Sequence, residues 1–158
     1  MIEIKTYSGM FDDEIISLVL DIQNGEAKIN LSLDEQPDLK DIKTYYQESG
    51  GEFWLALDNG HVIGTIGLIN RENHCAILKK FFVSAQYRSQ KIGLKLYQSL
   101  LQFAQGKGIK HIILDTPSVA LASHRFYERA GFKKITKNEL PVEYVYPDRD
   151  SFLYMLDL

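Results

Sequence analysis

Residues 81–103 read FFVSAQYRSQKIGLKLYQSLLQF, an apolar strand-like segment that runs through a short polar loop into a helical pattern. The first backbone N–H groups of a helix have no intrahelical partners, and the helix dipole places positive charge at the same end. Arg88 and Lys91 supply two cations beside this helix start. The stretch therefore predicts a strand–loop–helix junction that binds an anion such as phosphate.

The helix after this loop has a broad apolar face whose residues lie at helical spacing: Ile92, Leu96, Leu100 and Phe103. Such a face is expected to pack against a sheet. Gly106 and Gly108 end the helix, because glycine readily adopts the conformations that close a helix. Apolar runs at residues 75–83 and 111–115 flank it as strands. The segment therefore predicts a right-handed strand–helix–strand unit with parallel strands.

An Asn-Gly pair marks the turn of a β-hairpin earlier in the chain. Asn59 and Gly60 lie between apolar runs at residues 53–57 and 62–69, and this dipeptide favours the tight turn that joins antiparallel strands. Because the strand at residues 75–83 follows after a short polar turn, the three runs together predict an antiparallel meander.

Apolar spacing and capping residues assign the remaining elements. These are a strand at 2–7, helices at 12–22 and 37–48, a helix opened by Pro117 and Ser118 and capped by Gly131, and strands at 132–136 and 151–158. The pattern predicts an α/β (α+β) fold, with a single mixed, mostly antiparallel sheet of about six to seven strands and helices on both faces. A length of 158 residues without repeats or linkers predicts one domain over residues 1–158.

Charge and composition exclude several classes of partner. The net charge of −3 and the pI near 5.8, with both signs mixed along the chain, argue against a nucleic-acid-binding face. The longest apolar run, near residues 15–20, is too short to cross a bilayer, and Met1 leads into a strand pattern rather than a targeting signal. Cys75 is the single cysteine, so no internal disulfide is expected. We therefore expect a cytoplasmic protein without nucleic-acid or membrane partners.

Two segments resemble the signatures of the GNAT superfamily of acyl-CoA-dependent N-acetyltransferases. The first signature is Arg or Gln, two residues, Gly, one residue, then Gly or Ala, after a strand ending in Val. The matching residues are Val83, Arg88, Ser89, Gln90, Lys91, Ile92 and Gly93. Lys91 departs from the signature, which has glycine there. The second segment, SHRFYERAGF at residues 123–132, carries Tyr127 shortly before Gly-Phe, and Ala120 stands where the family usually has Asn.

The resemblance implies a GNAT-like fold and acetyl-CoA as the acyl donor, with no metal. The pyrophosphate is expected on main-chain N–H groups of residues 88–93, and the pantetheine arm along the backbone of Phe82 and Val83. Lys91 leaves two interpretations open: a positive φ would cost about 1–2 kcal/mol in a residue other than glycine, or its ammonium neutralises phosphate. The expected cofactor-binding residues are Phe82, Val83, Arg88, Ser89, Gln90, Lys91, Ile92, Gly93 and Leu94.

Acetyl transfer to an amine requires a neutral amine, stabilisation of the developing oxyanion, and a proton for the departing thiolate. The resemblance implies Tyr127 as the proton donor, because a phenol pKa of about 10 lies near that of a thiol. Packing in the core is the other role open to this ring. An N–H group near Val83 is expected to hold the oxyanion. Ile77 stands where the family often has a Glu, so the base stays open among Glu26, Glu72, His74, His111 and Asp115.

The acceptor is expected to be a primary amine of a small molecule or a peptide. The first two helices with their loop, and the segment at residues 140–150, are expected to form its pocket. Acidic residues there either attract a cationic amine or keep the loops soluble: Glu26, Asp34, Glu35 and Glu143. An acyl-CoA-binding module without turnover is the alternative that Ile77 keeps open, and a structural or nucleic-acid-binding protein is a weaker third. Pairing of the C-terminal strand with a second chain would give a homodimer.

Overall fold

The computed structural model describes residues 1–144 and 150–158. Its strands are β1 (Ile2–Thr6), β2 (Glu52–Asp58), β3 (His61–Asn70), β4 (Cys75–Val83), β5 (His111–Pro117), β6 (Lys133–Ile135) and β7 (Ser151–Asp157). Its α-helices are α1 (Asp12–Leu20), α2 (Pro37–Lys40), α3 (Ile92–Gly106) and α4 (Leu121–Arg129). Short π-helical turns cover Asp21–Glu26 and Lys43–Gln47, and 3₁₀ turns cover Ala85–Gln90 and Lys137–Glu139.

The strands form one sheet in the order β1-β2-β3-β4-β5-β7-β6. Among the described residues β4 and β5 are parallel, and the other neighbouring strands pair antiparallel. The helix α3 connects the two parallel strands. The sheet is therefore mixed and mostly antiparallel, which confirms the predicted fold class.

The turn between β2 and β3 has the geometry that its sequence predicts. Asn59 has a φ of 50° and Gly60 a φ of 81°. Positive φ at both central residues is what the type I′ turn of a two-residue hairpin requires, and asparagine and glycine adopt it most readily. The strands pair directly outside the turn, with Asp58 opposite His61.

Helices pack on both faces of the sheet, as predicted. On one face α3 buries Leu96 and Leu100 completely against the apolar residues of the central strands. On the other face Ile15 of α1, Leu39 of α2 and Tyr46 form a second buried cluster. The sheet is thus covered on both sides, and its central strands are almost wholly buried.

The helix predicted at residues 37–48 is broken in the middle. It forms α2 and a separate turn at Lys43–Gln47, and Asp41 between them has the non-helical φ and ψ of −149° and 68°. The Asp41 carboxylate accepts a hydrogen bond from the Thr44 N–H. This side-chain cap competes with continuation of the first helix. The helix predicted at residues 12–22 likewise ends early, at Leu20, and continues as a π-helical turn.

Two predictions about the C-terminal half are wrong. Pro117 is the last residue of β5, opposite Ser151, and not the start of a helix, so α4 begins at Leu121. Proline is tolerated where a strand ends because it has no N–H to offer the ladder. The C-terminal strand β7 pairs with β5 on one side and β6 on the other. It therefore lies between two strands and is not the edge strand that pairing with a second chain assumed.

A bulge in β4 decides how the central strands present their side chains. Lys79 pairs with Gly67 and Phe82 with Thr65, so one residue is extra, and Lys80 has a φ of 55°. The Thr65 hydroxyl donates a 2.7 Å hydrogen bond to the Lys80 carbonyl and stabilises the bulge. A bulge interrupts the alternation of side chains. Lys79 and Lys80 consequently both lie on the face opposite α3.

The parallel strands β4 and β5 separate after a short paired stretch. Their pairing runs from Cys75 and His111 to Ile77 and Ile113 and ends there. Beyond this point the β5 side of β4 has no strand partner among the described residues as far as Val83, and a cleft opens between the two strands.

Candidate active site

The cleft between β4 and β5 is a cavity of about 1670 Å³. Small-molecule pockets usually measure roughly 300–1,000 Å³, so this cleft has room for an extended cofactor arm and an acceptor together. Its walls come from the diverging parts of β4 and β5, the π-helical turn after α1, the loop before α2, the start of α4 and the chain before residue 145.

The start of α3 lies beside this cleft and has no side-chain cap. Lys91, the residue before the helix, has φ and ψ of 60° and 26°, and among the described residues no side chain caps the first turn with a hydrogen bond. The left-handed conformation costs a residue other than glycine about 1–2 kcal/mol. Lys91 therefore has the positive φ that the first of its two interpretations assumes, and it carries this cost. The uncapped N–H groups of the first turn can receive an anion.

Arg88 is held by two neighbours in this structure. Its Nε donates a 3.0 Å hydrogen bond to the Val83 carbonyl, and its guanidinium pairs with the carboxylate of Glu26. Both side chains of the ion pair are roughly half exposed. The first contact fixes the loop against the end of β4, whereas the second occupies the guanidinium that the sequence assigns to phosphate.

The nine residues predicted to bind cofactor fall into two groups. Some line the cleft with their side chains or backbone: Phe82, Val83, Arg88 and Gly93. The others surround the start of α3 outside the cleft lining: Ser89, Gln90, Lys91, Ile92 and Leu94. The Ile92 side chain is buried in the core, so only its backbone is available to a ligand.

Tyr127 of α4 lines the cleft from within an aromatic cluster. Its ring centroid lies 5.5 Å from that of Phe132 and 6.3 Å from that of Phe81. Burial raises the pKa of the phenol well above its ordinary value, and the charge of Asp115 and the Tyr97 phenol add to the increase. The group therefore stays protonated at neutral pH and can donate. Full proton transfer is less favourable than the ordinary pKa suggests.

Two of the five candidate bases line the cleft, namely Glu26 and Asp115. Of the other three, Glu72 pairs with Arg71, and the His111 ring lies 2.6 Å from the Asp157 carboxylate. His74 is exposed in the turn before β4. The structure thus brings only Glu26 and Asp115 to the cleft. Ile77 is buried at the point where the strands separate, so this position offers no base.

A buried charged group in the cleft was missed by the sequence interpretation. The Lys80 ammonium lies 3.3 Å from an Asp38 carboxylate oxygen, which also accepts a 2.6 Å hydrogen bond from the Tyr46 hydroxyl. Burial lowers the pKa of Lys80 in spite of the neighbouring carboxylate. Burial alone would raise the pKa of Asp38, but Lys80 and Tyr46 outweigh it and hold that pKa below its ordinary value. The sequence signal for this buried charge was the pair of consecutive lysines, Lys79 and Lys80, inside an otherwise apolar strand.

A second polar group was also missed, and it joins the two diverging strands. The Tyr144 hydroxyl donates a hydrogen bond to the Asp115 carboxylate. The Lys79 ammonium lies over the Tyr144 ring, 5.8 Å from its centroid. All three side chains line the cleft.

The predicted acceptor pocket is present in part. Glu35 and Glu143 line the cleft, whereas Asp34 pairs with Lys40 and does not line it. Of the segment predicted at residues 140–150, residues 145–149 lie outside the described part of the chain. The loop before α2 is held by a reciprocal pair of 2.9 Å hydrogen bonds between the buried amides of Gln23 and Gln36.

Two negative findings apply to residues 1–144 and 150–158. No helix there is both long enough and apolar enough to span a bilayer. No group of three or more His, Cys, Asp or Glu side chains there is arranged to hold a metal ion.

Solved structures share this fold. An acetyltransferase from Streptococcus agalactiae 2603 is 41% identical, with a TM-score of 0.96, and the match covers 99% of this chain and 98% of that chain. N-acetylglutamate synthase from Neisseria gonorrhoeae, solved with coenzyme A and N-acetyl-glutamate, is 19% identical with a TM-score of 0.74, and the match covers 100% of this chain and 35% of that one. At that identity the likeness concerns the fold alone.

Curated relatives agree with the structural comparison. The N-acetylaspartate synthetase of Xenopus tropicalis is 34% identical over 100 residues, which is 62% of this chain and 37% of the relative. The chain spans about half or less of the length of the curated relatives it matches. The model of the acetyltransferase (GNAT) family matches residues 19–132, well over half of the chain. The protein therefore belongs to the GNAT family of acetyltransferases.

Proposed function

We propose that this protein transfers the acetyl group of acetyl-CoA to a primary amine of a small molecule or peptide, by direct attack in a ternary complex. The observation that carries the proposal is the presence of two stretches of available main chain beside one cleft. The first is the side of β4 that faces β5, beyond their last pairing at Ile77, and the second is the uncapped start of α3. The two amides of an extended cofactor match the first stretch, and its diphosphate matches the second.

In this proposal the diphosphate receives main-chain N–H groups at Ile92, Gly93 and Leu94, where the helix dipole favours negative charge. Gly93 faces Phe81 and Val83 at ordinary contact distances, the nearest atom lying 3.5 Å from an added Cβ. Because residue 93 is a glycine, it has no side chain that could lie between the ligand and the helix backbone. Arg88 exchanges its Glu26 partner for phosphate when the cofactor binds.

The pantetheine arm lies along the open side of β4 and pairs with the backbone of Phe82 and Val83, as an added strand would. This placement directs the thioester toward Tyr127 and Asp115, which line the same cleft. An N–H group near Val83 stabilises the negative charge that develops on the carbonyl oxygen.

The chemical step forms a C–N bond and breaks the C–S bond. Asp115 removes the proton of the attacking amine, directly or through a water molecule, and Tyr127 donates to the departing thiolate. The raised pKa of Tyr127 keeps the phenol in its donating form. We prefer Asp115 to Glu26 as the base, because Asp115 is close enough to the Tyr127 phenol to raise its pKa, whereas Glu26 lies beside Arg88 at the end of the cleft where the diphosphate is proposed to bind.

We assign the protein to the cytoplasm, since its single cysteine is a buried free thiol that is compatible with a reducing compartment. Recovery of the native protein from a membrane fraction or from outside the cell would contradict this assignment. The name of one curated relative, N-acetylaspartate synthetase, agrees with a small amine as the acceptor.

The test is release of coenzyme A thiol from acetyl-CoA in the presence of an amine panel. We expect amine-dependent release by the wild-type protein and a fall in kcat of about 10²-fold in Tyr127→Phe and in Asp115→Asn. Tyr97→Phe is the matched control, because the Tyr97 hydroxyl is buried without a hydrogen-bond partner among the described residues. Its rate should equal that of the wild type at neutral pH, because burial is the main cause of the raised pKa of Tyr127 and keeps this phenol protonated without the Tyr97 hydroxyl.

Binding of coenzyme A without amine-dependent release would support the non-catalytic acyl-CoA-binding module instead. If release occurs but Tyr127→Phe matches Tyr97→Phe, the proton-donor assignment is wrong. If Asp115→Asn keeps full activity, the base lies elsewhere.

A further inference from the structure

Lys79 and Asp115 occupy equivalent positions on the two strands that diverge to form the cleft. Each lies two residues beyond the last paired residues of β4 and β5, which are Ile77 and Ile113. Side chains two residues apart on a strand share a face. A lysine and an aspartate thus lie on the same face of the sheet, just beyond the point where the strands separate, with one on each side of the cleft.

Tyr144 contacts both of these side chains. Its hydroxyl donates to Asp115, and its ring lies under the Lys79 ammonium. These two contacts hold the Asp115 carboxylate and the Lys79 ammonium in place, although the two groups form no ion pair with each other. Lys79 forms no ion pair with a carboxylate in residues 1–144 and 150–158, although the adjacent Lys80 is paired with Asp38. The Lys79 side chain therefore brings a half-buried positive charge to the cleft that no carboxylate of the described residues pairs with.

A ligand that carries an ammonium and a carboxylate on the same carbon atom would complete this arrangement, because each group could pair with one of the two side chains. A buried charge is unfavourable until it is paired, so the cation at Lys79 favours a carboxylate, and the anion at Asp115 favours an ammonium. A simple amine satisfies only Asp115 and places its positive charge near Lys79 and Lys80. The amine at a peptide N-terminus has no carboxylate on its α-carbon.

We propose that the acceptor is a free α-amino acid, whose carboxylate binds Lys79 while its amino group faces Asp115. This inference rests on the acetyl transfer proposed above and names its substrate class. Lys79 acts as a specificity-determining residue that binds the acceptor and takes no part in proton transfer. Asp115 has both roles, because it first pairs with the ammonium and then accepts one of its protons, which frees the nitrogen to attack the thioester. The second N–H proton, lost as the amide forms and the C–S bond breaks, goes to the Tyr127 phenolate that remains when this phenol has protonated the thiolate.

The experiment compares three forms of each acceptor in the thiol-release assay. The panel contains the twenty L-amino acids, their carboxamides, and the amines that remain when the carboxylate is removed. For at least one amino acid we expect kcat/KM to exceed that of its carboxamide and its amine by at least about tenfold, which is typical of a charge-assisted hydrogen bond.

The variant Lys79→Met should raise the KM for that amino acid by about tenfold or more, while kcat/KM for the carboxamide and KM for acetyl-CoA stay within about twofold. Lys5→Met is the matched control, since Lys5 is an exposed lysine on the edge strand β1, which β2 and β3 separate from β4. It should leave every constant unchanged. Lys79→Arg keeps the charge and should retain most of the preference for the carboxylate, which separates a binding role from a structural one.

Equal turnover of amino acids, carboxamides and amines would overturn this inference and leave the proposed acetyl transfer intact. The same holds if Lys79→Met, folded and binding acetyl-CoA normally, keeps the preference for the carboxylate. An absence of turnover with every acceptor would overturn both proposals.

Discussion

The Lys80 ammonium lies 3.3 Å from an Asp38 carboxylate oxygen inside the cleft, and each side chain is 12% exposed. Both groups are placed there by irregular backbone, since Lys80 is the bulged residue of β4 and Asp38 belongs to a four-residue helix. The Tyr46 hydroxyl donates a hydrogen bond to the same carboxylate and holds it in place. This pair connects the loop side of the cleft to the central strand that the cofactor is proposed to follow.

Removing Asp38 should destabilise the protein strongly. In Asp38→Ala the Lys80 ammonium would be left buried without its partner, and we expect the free energy of unfolding in urea to fall by about 3 kcal/mol. Asp34→Ala is the control, because Asp34 pairs with Lys40 at the surface, where such a pair contributes at most about 1 kcal/mol. Equal losses in the two variants would show that the buried pair has no special role in stability.

Replacing Lys91 by glycine should stabilise the fold. The residue has a φ of 60°, and removal of this strain, less the extra chain entropy of glycine, leaves a gain of roughly 1 kcal/mol in the free energy of unfolding. Lys95→Gly lies in the interior of α3 and should instead lose about 1 kcal/mol. A loss in Lys91→Gly as large as that in Lys95→Gly would contradict the strain argument.

The ion pair between Arg88 and Glu26 should compete with the cofactor. In Glu26→Gln the guanidinium no longer has to leave a carboxylate, so we expect coenzyme A to bind up to about fivefold more tightly by calorimetry. Arg88→Gln should weaken binding. Asp34→Asn removes a surface carboxylate outside the cleft lining and should have no effect. Unchanged affinity in both Arg88→Gln and Glu26→Gln would remove Arg88 from the phosphate site.

The pH dependence of the rate should carry the signature of a buried phenol. Burial, with the charge of Asp115 and the Tyr97 phenol, raises the pKa of Tyr127, so the protonated donor persists above pH 10, the ordinary phenol value. We therefore expect no loss of kcat from ionisation of Tyr127 between pH 7 and about 10. Tyr127→Phe should be slower throughout this range by a constant factor. A wild-type rate that falls toward the level of Tyr127→Phe near pH 8 would place the phenol pKa much lower.

Local sequence signals predicted the fold well. Asn59 and Gly60 specify their own turn because positive φ is a property of these two residue types. The strand β4 has the predicted bounds of residues 75–83, since an apolar run between polar turns, interrupted only by Lys79 and Lys80, leaves little alternative. The break at Asp41 was missed because a carboxylate that caps the next turn looks, in sequence, like any polar residue on a helix surface.

The site was harder to predict because its contacts join distant parts of the chain. Arg88 and Glu26 are 62 residues apart, and Tyr144 and Asp115 are 29 apart, so no local pattern reveals either contact. The bulge at Lys80 depends on the pairing of β4 with β3, and without it one of the two lysines would point toward α3. The helix start at Ile92 was predictable, because the boundary between the polar loop and the apolar helical pattern lies within one local segment.

The central claim is that the start of α3 holds the diphosphate of coenzyme A through its main-chain N–H groups. Calorimetric titration with coenzyme A and with pantetheine, which lacks the diphosphate, tests it most directly. We expect saturable one-to-one binding of coenzyme A and binding of pantetheine weaker by at least about tenfold. Absence of heat with coenzyme A at saturating concentration, or equal affinity for the two ligands, would contradict the claim.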